Sequence, residues 1–202
     1  KIYQEMLKWK EERQGETALL IEGARRIGKS TIVEEFAKNE YSSYILVDFS
    51  KTATEINDLF NDLSDLNYIF LRLQLNYNVS LKERKSLIIF DEVQNNPKAR
   101  QAIKHLVKDH RYDYIETGSL ISIRKNVQNI IIPSEETRIT MHPMDFEEFR
   151  WAMGDNVSFT LLKTVLEKKQ PLGEAIHRKL MRDFRLYMLV GGMPQAVDKY
   201  IK

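Results

Sequence analysis

The stretch Gly23-Ala24-Arg25-Arg26-Ile27-Gly28-Lys29-Ser30 decides how the rest of the chain is read. It fits the spacing G-x-x-x-x-G-K-[ST]. An apolar run at 17–21 precedes it, and Ile32, Val33, Phe36 and Ala37 follow at helical spacing, so a strand feeds a glycine loop that opens a helix. A nucleoside triphosphate carries several negative charges. Consecutive backbone N–H groups at a helix N-terminus can face those charges only where glycine lets the loop wrap tightly. On this reading Lys29 bridges the β- and γ-phosphates, the Ser30 hydroxyl is a ligand of Mg²⁺, and Thr31 completes the cradle in the same helical turn. The bland alternative is a glycine turn that merely precedes a helix.

Working outward, further apolar runs lie at 44–49, 86–90, 112–117 and 138–141, and helical patterns fall between them, including Ala102, Ile103, Leu106 and Val107. Five short buried strands alternating with helices predict an α/β fold, a three-layer P-loop NTPase core with a five-stranded, mainly parallel sheet covered on both faces. The core occupies 15–142 and, with an N-terminal helix, makes a domain of 1–142. Residues 57–85 predict an amphipathic helix, a turn near Asn76-Tyr77-Asn78 and an approach to the third strand. From Pro143 onward Phe146, Phe149, Leu161, Leu162, Val165, Leu180, Phe184 and Tyr187 keep helical spacing, which predicts a small helical lid subdomain over 143–202.

A second chemical signal is Leu87-Ile88-Ile89-Phe90-Asp91-Glu92, in which four apolar residues deliver two adjacent carboxylates to the C-terminal end of a strand. Open α/β sheets bind ligands at that end. Asp91 is the candidate to hold Mg²⁺ and Glu92 the candidate general base for an attacking water. Asp48, which closes the run Tyr44-Ile45-Leu46-Val47, is a rival magnesium acid. It lacks a second acid beside it, and choosing it would place the metal strand next to the loop strand.

Composition narrows the remaining classes. The 202 residues are 43% hydrophobic, enough for a real core, and 31 basic against 29 acidic residues give a net charge of +2, far from the balance of a strongly basic nucleic-acid binder. Cysteine is absent, and the four histidines (His105, His110, His142, His177) form no i,i+4 pair, so a metal site must be built from oxygen ligands. No apolar stretch approaches the ~20 residues of a membrane span and the charged opening lacks a signal-peptide core, so the expectation is cytoplasmic residence without membrane contact. The chain opens without methionine and closes on Tyr200-Ile201-Lys202 in a helical pattern, which reads as a fragment.

Together the lysine loop, the Asp91-Glu92 pair, the strand ending Glu116-Thr117-Gly118-Ser119 and the late Gly191-Gly192-Met193-Pro194 resemble the AAA-type predicted prokaryotic ATPases, in which an AAA domain precedes a nuclease-like domain of unknown function. The resemblance implies a polar sensor at the tip of the fourth strand, Thr117 or Ser119, with Gly118-Ser119 the closer match. Gly192-Met193-Pro194 is similar to the G-x-P element of signal-transduction ATPases, where the proline, here Pro194, lies against base and ribose. Arg25 and Arg26 match basic residues common in the family's loops and either reach the γ-phosphate or stay solvated. Arg124 and Arg138 are candidate charge stabilisers, and no arginine closely follows Gly191-Gly192 as a sensor. The implied function is Mg²⁺-dependent ATP hydrolysis that drives a conformational change in an attached domain or partner. ATP and ADP are the expected ligands, nucleic acid is reached through a downstream domain absent here, and a second copy of the chain is a further expected partner. A slow nucleotide switch and a DNA-associated module, in which binding rather than turnover is the event, are the competing readings. A small-molecule kinase has no acceptor signature in the sequence.

Overall fold

The computed structural model describes residues 1–119 and 135–202, and these form two compact units, Lys1–Met141 and His142–Lys202. In the first unit α1 (Ile2–Arg13), β1 (Ala18–Gly23), α2 (Lys29–Glu40), β2 (Ser43–Asp48), α3 (Thr54–Asp58), α4 (Leu66–Tyr77), β3 (Ser86–Asp91), α5 (Pro97–Asp109), β4 (Asp113–Ser119) and β5 (Glu136–Met141) follow one another. The strands form one sheet in the order β2-β3-β4-β1-β5, and every pairing is parallel. The expected five-stranded α/β sheet is therefore present, and it is wholly parallel.

Alternation along the strands splits the core in two. Leu19, Ile21, Leu87, Ile89 and Ile115 pack with Met6 and Trp9 of α1 and with Val33, Phe36 and Ala37 of α2. Ile45, Val47, Ile88, Phe90 and Tyr114 face the other way, against Ile69, Phe70 and Leu73 of α4 and Ile103, Leu106 and Val107 of α5. With helices on both faces, all six residues of β3 are buried, and this is why that segment reads as an unbroken apolar run.

Local chemistry explains the region that was hardest to read. The Asp65 carboxylate caps α4 by accepting from the amides of Asn67 and Tyr68, and the helix stops where Asn78 adopts φ 51°, a left-handed conformation that asparagine tolerates. Asn96 caps α5 in the same way, with Pro97 at the first helical position.

One buried feature has no sequence signature. Glu116 of β4 is fully buried, and neither carboxyl oxygen has a hydrogen-bond partner. Nearby, Glu136 of β5 pairs with Arg100 at 3.1 Å and with Arg138 at 2.6 Å. Burial and then the charge of Glu136 push the Glu116 carboxyl up to about 8, against the pull of the two arginines.

The second unit holds α6 (Phe146–Ala152), α7 (Ser158–Glu167), α8 (Glu174–Val190) and α9 (Pro194–Ile201). Asp145 and Glu148 form a reciprocal capping box at the start of α6. Phe146 makes edge contacts with Phe159 and Phe184, and buried Arg150 binds Asp155 and Asp183. The backbone amide of Met144 donates to the Gly192 carbonyl at 2.8 Å, and the Tyr187 hydroxyl donates to the Met144 carbonyl at 2.8 Å, so the Gly191-Gly192 turn is tied into this unit's own packing. No helix among the described residues is long and apolar enough to cross a membrane.

Glu116 makes stability fall as pH rises. Its folded-state pKa lies above the unfolded one, so the protonated form's contribution is complete below pH ~4 and is lost as pH climbs towards 8. Glu116→Gln should raise Tm by roughly 5 °C or more near pH ~9 and change it little near pH ~4, as read by calorimetry at the two values.

Candidate functional site

Parallel strands bring their C-terminal ends to one side of the sheet, and the loop after β1 opens there. Gly23 ends β1 so close to β5 that a Cβ added to it would lie 2.3 Å from the Met141 carbonyl oxygen. Gly28, at φ 93°, occupies the N-cap of α2 without any side-chain cap, so the first amides of the helix keep their donors for a ligand. Of the loop residues between them, Ala24, Arg25 and Arg26 are exposed and Ile27 is buried. Thr31 is exposed in the first turn of α2.

Lys29 is buried, and its ammonium donates to the loop carbonyls of Ala24 at 2.6 Å and Gly23 at 3.3 Å. Burial lowers its pKa, and the carboxylates of Glu92 and then Asp91 work in the opposite direction. Loop carbonyls therefore hold the ammonium at the site where phosphate oxygens would compete for it.

The Ser30 hydroxyl donates to Asp91 Oδ1 at 2.8 Å, joining α2 to the end of β3. Thr117 of β4 donates to the same carboxylate oxygen, and its hydroxyl accepts from the Glu92 amide at 3.3 Å. Of the two polar residues named for the tip of β4, Thr117 is thus the one on the acid pair. Ser119 is buried as the last residue of the strand, in register with Gly23. Glu92 itself sits at φ 53° with its side chain half-buried, and its Oε2 accepts from the amide of Gln94. Gln94 was not singled out in the sequence. Its position two residues beyond the acid, in the turn that leaves the strand, is the one cue that could have drawn attention to it.

The rival acid Asp48 is elsewhere engaged. Its carboxylate accepts from the Ser50 amide at 2.9 Å and pairs with Lys51 at 3.1 Å. β2 is the sheet edge, with both β3 and β4 between it and β1, so the metal strand next to the loop strand that the Asp48 reading required does not occur. Arg138, which was expected to open the fifth strand, is its third residue, and its guanidinium is committed to Glu136. Arg124 lies outside the described residues. In the second unit Pro194 takes the first position of α9, immediately after the Gly191-Gly192 turn.

A family model described as an AAA domain matches residues 15–150. No curated protein is detectably similar to the chain. Among solved structures, the Aeropyrum pernix Orc1 protein in complex with DNA is similar at 13% identity and a TM-score of 0.45 over 73% of this chain. The chain spans 46% of that protein's length.

Because among the described residues the Lys29 ammonium bonds to carbonyls of its own loop, Lys29→Ala should leave the fold intact and strip the loop of its cation. ATP affinity should fall by at least ~10²-fold, which corresponds to losing roughly 3 kcal/mol of charge-assisted hydrogen bonding. Equilibrium nucleotide titration, with circular dichroism as the check on folding, measures both.

Proposed function

The chain belongs to the AAA-domain family, and on that premise we propose that it binds ATP with Mg²⁺ and hydrolyses it by in-line attack of water. The observation that carries this reading is the 2.8 Å hydrogen bond from Ser30 to Asp91. It joins the hydroxyl that follows the loop lysine to a carboxylate on a strand that is not the loop strand's neighbour.

The donor set fits magnesium. A hydroxyl and a carboxylate are hard oxygen ligands, and among the described residues no group of three or more acidic or histidine side chains forms a protein cage for a metal. An ion held by Ser30 and Asp91 would complete its shell with phosphate oxygens and water, as Mg²⁺ commonly does. When bound it supplies positive charge to the phosphates.

The chain's own groups account for the rest. The uncapped amides of α2 and the Lys29 ammonium bind and orient the triphosphate. Glu92 takes the proton of the attacking water as the water oxygen bonds to the γ-phosphorus, the bond to the β–γ bridging oxygen breaks, and ADP and phosphate leave. Thr117, bonded to Asp91 and to the Glu92 amide, keeps the two acids in fixed relation. Ser119, buried at the tip of β4 opposite Gly23, is the second candidate for contact with the γ-phosphate or the water. The output of turnover is a conformational change in an attached domain or partner. The net charge of +2 gives little counterion-release drive for DNA binding by this chain itself.

The adjacent acids have different work and should fail differently. Glu92→Gln keeps size and reach but removes the proton acceptor, so Mg²⁺ and ATP still bind while single-turnover hydrolysis slows ~10²- to 10⁴-fold. Asp91→Asn weakens Mg²⁺-dependent binding as well as turnover. Near-normal hydrolysis in Glu92→Gln would sink the mechanism. On β4, Thr117→Val should slow hydrolysis more than it weakens ATP binding, and comparison with Ser119→Ala under the same conditions ranks the two hydroxyls.

A further inference from the structure

Glu92 is placed by two local constraints that the hydrolytic reading does not by itself use. Its backbone occupies the left-handed region at φ 53°, at the junction between β3 and the short helical turn Val93–Asn95, where the Asn95 amide donates to the Glu92 carbonyl at 3.0 Å. Glu92 lies beyond the paired residues of β3, and the three χ angles of a glutamate would let the carboxylate sweep a wide arc. What stops it is Gln94, whose side-chain amide donates to Glu92 Oε2.

Gln94 is suited to that task because it cannot itself move freely. It is only 6% exposed, in a turn whose Val93 and Asn96 are also buried, and a buried amide in a packed surround keeps one rotamer. With Oε2 bonded to Gln94, Oε1 is the oxygen left to accept a proton.

We propose that Gln94 is a positioning residue for the Glu92 carboxylate, fixing its orientation through the charge-assisted hydrogen bond to Oε2, so that hydrolysis rate depends on Gln94 while nucleotide affinity does not. The inference rests on the reading of Glu92 as general base. A carboxylate that drifts by ~1 Å from its productive place can lose about 10²-fold in rate, whereas ATP binding on the proposed reading depends on the loop, Lys29 and Ser30.

The test is a double-mutant cycle between Gln94→Met and Glu92→Gln on the chain as it stands, with ATP and Mg²⁺ as the probes. Methionine is unbranched and similar in length, so it fills the buried space but offers no N–H donor. Gln94→Met should lower kcat by about tenfold or more, with KM and the Kd for ATP within about twofold of the parent. In the double variant, Gln94→Met should cause no further loss beyond that of Glu92→Gln, because the residue acts only through the carboxylate. Gln94→Glu, which keeps the length and loses the donor, should reproduce the kcat loss. Unchanged kcat in Gln94→Met overturns the proposal, and so does an additive loss in the double variant, since that would mark a structural role separate from Glu92. Normal turnover in Glu92→Gln alone removes the base, and the role of Gln94 falls with it.

Discussion

A single carboxylate oxygen, Oδ1 of Asp91, accepts hydrogen bonds from Ser30 on α2 and from Thr117 on β4, and the arrangement of the candidate site follows from that convergence. Asp91 is 6% exposed, and a carboxylate so far from water needs strong donors to offset its lost hydration. The two hydroxyls supply them only because all strands run in the same direction and β4 lies between β1 and β3, which brings the ends of three elements to one point. The contrast with Glu116, one position before Thr117 on the same strand, is instructive. Its carboxyl is equally enclosed and has no donor, so it is driven towards its neutral form. On two neighbouring strands, one buried acid has hydroxyl donors and the other, with none, resists ionisation.

How much of this was readable in advance depended on whether the deciding interaction was local. The loop 23–30 was legible because its glycines, lysine and serine lie close together in the chain, at a spacing written directly in the sequence. The strands were legible as apolar runs, although their ends were not. β1 extends to Gly23, β4 to Ser119, and β5 starts at Glu136, because polar residues at strand termini continue the ladder without adding to the apolar signal.

Choices that turn on neighbours distant in sequence were harder. Asp48 and Asp91 both close a strand of apolar residues, and their Cα atoms are partners across β2 and β3, so the sequence separated them only by the second acid, Glu92, that follows Asp91. The strand order separates them. Thr117 and Ser119 likewise share a face of β4, and the level of each relative to Asp91 is set by the register of three strands. The Glu116, Glu136, Arg100 and Arg138 cluster looks in the sequence like charges on solvated surfaces, because nothing local marks a charged residue as interior. In the second unit the helical spacing was plain, yet of its hydrophobic residues only Phe149 and Val197 fall among the buried core, so periodicity indicated the helices better than it indicated burial.

The place of β1 in the sheet also bears on how the chain reaches this fold. β1 pairs with neither of the strands nearest to it in sequence. Leu19 lies opposite Ile115 on one side and Thr137 on the other, whereas β2 and β3 pair directly. During synthesis β1 must therefore wait, without its strand partners, until β4 has emerged. Pairings of such long sequence separation form slowly, because the entropy of closing the loop is lost before any contact compensates for it. The interval in which Leu19, Leu20 and Ile21 have no strand partner is when the growing chain is most exposed to wrong pairings, so the loop that is the most recognisable part of the finished protein is held together by the strand that is completed last.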